Sequence, residues 1–143
     1  MSAPLLQLRY RAEFCAAYRL HNPAFDDAWN RKVYGVCFSP NNHGHNYFLD
    51  TEVEGPVDPD TGMVMDLLEL QALVQEKIIR KVDHLNLNID VPFLQGRVPT
   101  SENLLLCFWE VLAPALPAGV LLKQLSLRES RDHQVVYRGP KST

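Results

Sequence analysis

No stretch of the chain approaches the roughly 18–20 consecutive apolar residues that a membrane span requires. The opening Met1-Ser2-Ala3-Pro4 has neither the basic start nor the long apolar core of a secretion signal. Cysteine is scarce: Cys15, Cys37 and Cys107 are odd in number, widely spaced and without a CxxC pair. That pattern excludes a disulfide framework and points to a reducing, cytoplasmic compartment. Basic charge is also short, since 14 Lys and Arg against 17 Asp and Glu leave a formal net charge of −3. Nucleic acids and anionic membranes are held by clustered Lys and Arg, so neither is expected as a partner. A local basic pocket for a small anion stays open. Internal repeats and low-complexity segments are absent too. What remains is 143 residues, 46% hydrophobic and 22% charged. That describes one domain over 1–143, long enough to bury about two-thirds of its unfolded surface without a disulfide or a structural metal.

The chain opens with strict alternation. Leu6, Leu8, Tyr10, Ala12, Phe14, Ala16, Tyr18 and Leu20 share one parity, with Gln7, Arg9, Arg11, Glu13 and Arg19 on the other. A period of two over this length predicts a long strand with one buried face. Asn22-Pro23 then breaks the pattern, and Asp26 can cap a short helix running to Val33. Residues 36–44 are rich in turn formers and lead into a second strand near 43–55, with His43, His45, Tyr47, Leu49 and Val53 on one face. Asp66 followed by Glu69 resembles a capping box, and Leu67, Leu70, Val74, Ile78 and Val82 recur at helical spacing. Thr100 can cap a second long helix whose stripe is Leu104, Phe108, Val111 and Ala115, with Pro114 and Pro117 near its end. Strands return at about 120–129 and 133–138. The order predicts an α+β fold: a four-stranded antiparallel sheet with two helices on one face.

Several residues carry chemistry. In a strand, residues i and i+2 point to the same side, so His43 and His45 can reach one ion at about 2.0–2.1 Å. Two imidazoles alone leave such a site incomplete, because structural zinc takes four protein ligands and catalytic zinc three. Gly44 between them lets the backbone pass close to something. Glu129 continues the buried parity of Leu125 and Leu127. A carboxylate on an apolar face is unfavourable unless it is paired or binds a ligand. Asp83-His84 falls at a helix C-terminus, where the dipole favours a cation and an adjacent Asp can orient a His. Cys37 lies in a polar loop six residues before His43. A nearby imidazolium or metal would make its thiol a usable base or nucleophile. Cys15 and Cys107 have no such context and are expected to be packing residues.

Taken together, these residues resemble the 6-pyruvoyltetrahydropterin synthase family. The likeness runs through Phe14-Cys15-Ala16-Ala17-Tyr18-Arg19-Leu20, Tyr34-Gly35-Val36-Cys37 and His43-Gly44-His45-Asn46-Tyr47. It continues with Gly55, Asp58-Pro59, Thr61-Gly62-Met63-Val64-Met65 and Asp83-His84-Leu85-Asn86-Leu87. Thr100-Ser101-Glu102-Asn103, Glu129 and Val136-Tyr137-Arg138-Gly139 close it. The resemblance implies the tunnelling fold, in which three subunits close a β-barrel and two trimers stack into a hexamer with pterin sites between subunits. It implies a lyase that converts dihydroneopterin triphosphate to 6-pyruvoyltetrahydropterin with loss of triphosphate, in tetrahydrobiopterin synthesis. By matching position, Cys37 is the base, Asp83 and His84 are its relay, and Glu129 anchors the pterin with help near Thr100 and Ser101. His43 and His45 are two of the family's three zinc ligands.

The chain departs from the family pattern at Tyr18, where the resemblance places the third zinc-ligand His. A neutral phenol is a poor ligand, with an ordinary pKa of about 10, so weakened or absent zinc is expected. His21 could substitute only if the chain turns after the strand. A second departure is Val36, where a Lys often precedes the Cys; Arg19 and Lys32 are the nearby cations. Two alternatives follow: a 6-carboxytetrahydropterin synthase-type enzyme, or a zinc-poor pterin-binding relative with little synthase activity. The short step from Cys37 to His43 favours the pyruvoyl branch. A homo-oligomer, trimer or hexamer, is expected with either, since an open sheet would leave two edges unprotected.

Overall fold

The computed structural model describes residues 3–141; Met1, Ser2, Ser142 and Thr143, at the ends of the expected 1–143 domain, lie outside the described residues. Strand β1 (Leu5–Tyr18) pairs antiparallel with β2 (His43–Pro56) along its whole length, from Leu5 opposite Pro56 to Tyr18 opposite His43. The alternation read from the sequence sets the faces. Ala12, Phe14, Ala16 and Tyr18 are buried, and so are Tyr47, Leu49 and Val53 across from them. The opposite face of this pair is polar: Arg9 meets Glu52, and Arg11 forms a two-pronged contact with Asp50 at 2.7 and 2.8 Å. That contact holds the Asp50 carboxyl below its ordinary pKa.

Between β1 and β2 lie α1 (Asp27–Tyr34) and a 3-10 turn (Gly35–Phe38). Asp26 caps α1 by accepting the Trp29 N–H at 2.8 Å. Asn30, fully buried, donates to the carbonyls of Asn22, Phe25 and Asp26, tying the helix to its own entry loop. After β2, Asp66 accepts the Leu68 N–H and opens α2 (Leu67–Val74). A π turn (Gln75–Ile79) and α3 (Arg80–Val82) continue it, with Leu70, Val74, Ile78 and Val82 buried as one stripe. Thr100 accepts the Asn103 N–H and starts α4 (Ser101–Leu112). Pro114, which has no N–H to give, sits in the 3-10 turn that ends it (Ala113–Ala115). Strands β4 (Leu121–Arg128) and β5 (Gln134–Tyr137) complete the antiparallel part.

The sheet has a fifth strand that the sequence does not announce. β3 (Leu85–Asn86) pairs in parallel with Ala16 and Ala17, giving the order β3-β1-β2-β4-β5. Two residues carry no periodicity, so nothing local distinguishes β3 from loop; its strand form comes from β1 beside it. Phe14 stacks on Tyr47 at 4.6 Å and meets the edge of Phe108 at 6.1 Å, which anchors α4 on the sheet. Among the described residues no helix is long and apolar enough to cross a membrane.

Candidate functional site

The register places Tyr18 opposite His43 and Ala16 opposite His45, on the helix-covered face at one end of the β1–β2 ribbon. The Tyr18 ring lies 4.4 Å from that of His43 and 5.8 Å from that of His45; His45 in turn lies 5.8 Å from Tyr47. Both ring nitrogens of His43 are buried without a hydrogen-bond partner among the described residues. Burial first, then the neighbouring His45, lowers the His43 pKa, so its imidazole is held neutral. A neutral imidazole offers one donor and one acceptor. Leaving both unmatched is unfavourable unless a ligand uses them.

Gly44 has a definite reason to be glycine. A Cβ there would run into the Ala16 carbonyl of the paired strand, which is backbone and cannot swing away. Gly44→Ala is expected to destabilise the protein by about 1–3 kcal/mol through overpacking, read as a lowered urea midpoint. The same substitution would push the two histidines out of register with Tyr18.

Glu129 follows directly on β4, past the fully buried Leu125 and Leu127. The Ser101 hydroxyl donates to its Oε2 at 2.8 Å, and Ser101 itself is buried at the first turn of α4. The Glu129 charge is felt at Tyr18, His43 and Tyr47, so the carboxylate belongs to the same end of the sheet. Thr100 is adjacent, but its hydroxyl oxygen already serves as the α4 cap. Cys37 ends up on this side as well. Its carbonyl accepts the Leu20 N–H at 2.8 Å, just past the end of β1, and Tyr18 feels its charge.

Asp83 and His84 are elsewhere. The Cys15 N–H donates to Asp83 Oδ1 at 2.9 Å, the His84 N–H donates to the Cys15 carbonyl at 2.7 Å, and His84 Nδ1 lies 3.0 Å from Asp83 Oδ1. Cys15 has the parity opposite to Tyr18 in β1, and Asp83 and His84 sit beside it just before the edge strand β3. It lines a cleft of about 630 Å³ together with Ala17, Gly44, His45, Asn46 and Asn86. No hydrogen bond among the described residues joins Cys37 to Asp83 or His84. The expectation that Cys15 is a packing residue is corrected: its thiol is half-buried beside the dyad, whereas Cys107 is buried under α4. The signal that could have found Cys15 is its odd parity in β1, which turns it away from the core.

A second cleft of about 470 Å³ is lined by Arg19, His21, Arg31, Phe38 and Ser39. The Arg19 guanidinium stacks over Phe38 at 4.3 Å and donates to its carbonyl at 2.9 Å, while its Nε is buried and unpartnered among the described residues. Because β1 stops at Tyr18, His21 turns toward Phe38, 5.5 Å between rings, and lines this cleft. Arg31, and not Lys32, is the cation that joins Arg19 here.

The donor set at His43 and His45 can be tested against a zinc ion. The unmatched nitrogens of His43 suit a metal, but the group facing them is a phenol. Burial, and next the negative charge of Glu129, push the Tyr18 pKa up to about 12. At neutral pH it is a protonated hydroxyl without the anionic oxygen a metal prefers. Two imidazoles and a phenol do not make a three-ligand zinc site.

A long antiparallel ribbon with capped helices on one face carries a carboxylate and two imidazoles near one end, a set of donors suited to a small polar molecule. The family described as 6-pyruvoyl tetrahydropterin synthase matches residues 7–140. The chain belongs to that family. It is 44% identical over 126 residues to a 6-pyruvoyl tetrahydrobiopterin synthase of Poecilia reticulata, covering 88% of this chain and 85% of that one. It is 41% identical over 133 residues to the protein of the same name from Homo sapiens, covering 93% and 91%. The solved structure of Caenorhabditis elegans 6-pyruvoyl tetrahydropterin synthase superposes with a TM-score of 0.85 at 32% identity, covering 98% of this chain and 99% of that one. The fold is the tunnelling fold of that family.

Proposed function

We propose that the protein is a carbon–oxygen lyase that converts dihydroneopterin triphosphate to 6-pyruvoyltetrahydropterin and triphosphate, a step of tetrahydrobiopterin synthesis in the cytoplasm. The observation that carries this reading is the Glu129 carboxylate, oriented by Ser101 at 2.8 Å beside the unmatched His43. A carboxylate accepts two parallel N–H bonds, which matches the amino-pyrimidine edge of a pterin. Cys37 is the base that takes a carbon-bound proton. The carbon–oxygen bond to triphosphate breaks with its electron pair leaving on oxygen, and His84, held by Asp83, carries protons between substrate and solvent. Arg19 and Arg31 in the second cleft suit the triphosphate, whose charge a guanidinium meets in bidentate fashion. No part of this scheme is routed through a metal.

The scheme needs Cys37 and His84 at one substrate, and within one chain no hydrogen bond among the described residues joins them. In this reading the site is shared between copies in a homo-oligomer, a trimer or hexamer built on the open edges of β3 and β5. Cys37→Ser and His84→Ala are each expected to be inactive. Co-expressed, they recover activity because about a quarter of the sites in a random mixed oligomer hold both intact groups. A mixture as dead as its parents, or a monomer by light scattering, overturns the shared site. One observation favours a second reading: with Tyr18 buried as a neutral phenol, the protein would bind pterin without turning it over. Tight pterin binding with no triphosphate release would establish that reading.

A further inference from the structure

We propose that Cys15, Asp83 and His84 form a metal site, for a soft divalent cation of the zinc class, at the edge of the sheet where β3 pairs with β1. One ligand atom from each of the three lies within 4.8 Å of the others. A thiolate, an imidazole and a carboxylate are the donors that zinc takes, and a thiol among them selects against magnesium and calcium. Three protein ligands leave a fourth position free, and here it opens into the cleft of about 630 Å³. His84 reaches the cleft because its side chain is 79% exposed, while Asp83 is one-third exposed.

The backbone fixes this cluster from both sides. Asp83 Oδ1 is held by the Cys15 N–H, and Cys15 is held through its carbonyl by the His84 N–H. His84 adopts a φ of 63°, a left-handed conformation that a residue with a Cβ rarely takes. The sharp turn it makes sends the imidazole back toward the thiol instead of along the chain. Strain of this kind persists where surrounding structure over-determines it, and it gathers at ligand sites. Nothing in the lyase scheme uses Cys15, so the site stands whether or not that scheme holds. If it does hold, an ion here engages the imidazole that the scheme uses for proton transfer, and occupancy inhibits turnover.

The test is a cadmium titration of the purified oligomer under a phosphine reductant, followed by the ultraviolet thiolate-to-cadmium charge-transfer band. The band is expected in the wild type, in Cys37→Ser and in the His43→Ala/His45→Ala double variant, and absent in Cys15→Ser. His84→Ala should weaken binding by at least the roughly 10-fold that even outer-shell losses produce. A band that survives Cys15→Ser, disappears in the double histidine variant, or never forms overturns the proposal. Because Cys15→Ser could perturb β1, a second measurement uses the unaltered chain. Zinc should protect Cys15 from iodoacetamide while leaving Cys37 alkylated, with each site read by peptide mass spectrometry. Equal protection of both thiols, or of neither, also overturns it. None of these readouts depends on pterin turnover, so failure of the lyase reading leaves them intact.

Discussion

Tyr18→His is expected to raise bound zinc by close to one ion per chain over the wild type, at His43 and His45, with a large gain in turnover. The geometry for this is already present. Tyr18 stands opposite His43 in the strand register, its ring 4.4 Å from one imidazole and 5.8 Å from the other. The phenol is 4% exposed, with its pKa pushed up to about 12, so ionising it against a metal must first overcome burial. An imidazole at the same position has a lone pair at neutral pH and needs no such step. A Lewis acid at developing oxygen charge contributes several kcal/mol. Since about 1.4 kcal/mol is a tenfold change in rate, a gain on the order of 100-fold in kcat is expected. Metal content by plasma mass spectrometry and triphosphate release are measured on wild type, Tyr18→His and Tyr18→Phe. The phenylalanine variant separates ligation from packing, because it keeps the ring and removes the oxygen. Near-stoichiometric zinc in the wild type that falls in Tyr18→Phe would show that the phenol is a ligand after all.

Most of the fold is legible in local pattern because burial here follows chain parity. β1 and β2 alternate cleanly, since one face meets Leu70, Val74, Ile78 and Phe108 and the other meets only its own cross-strand charges. The caps at Asp26, Asp66 and Thr100 are visible because an N-cap acts within three residues of itself. Glu129 is visible for the same reason as β4: it sets a carboxylate on the apolar parity of that strand, one residue past its end. What the sequence hides is non-local. The pairing of Cys15 with Asp83 spans 68 residues, and no periodicity in either segment reports it. Motif likeness assembles Cys37, Asp83 and His84 into one list, yet among the described residues only Asp83 and His84 are joined directly, at 3.0 Å. A list of residues contains no contacts. The burial of both His43 ring nitrogens without partners is invisible for a related reason, because it depends on packing from outside their own strand.

Glu129→Gln is expected to lower kcat/KM for the pterin substrate by about 1,000-fold or more, with most of the loss in KM. The carboxylate presents two acceptors to two N–H groups of the amino-pyrimidine edge. A carboxamide presents one acceptor and one donor, so a donor then faces a donor. Hydrogen bonds to a charged group contribute about 1.5–3 kcal/mol each, and sites built around such pairs reject mismatches by factors of about 10,000–100,000. Ser101→Ala is the graded companion. It removes only the 2.8 Å bond that orients Oε2, and a single lost bond near 1 kcal/mol corresponds to about a 5- to 10-fold loss. An anchor remote from the bond being broken holds ground state and transition state alike, which is why KM and not kcat should move. Stability provides the control, since Glu129 is half-buried beyond the end of β4 and supports no helix cap. Both variants should therefore unfold close to the wild-type midpoint. Unchanged KM in Glu129→Gln would remove the carboxylate from the pterin site, and with it the observation on which the lyase reading stands. A fall in kcat at constant KM would instead make Glu129 a participant in proton transfer, leaving the ring to be held by other groups at that end of the sheet.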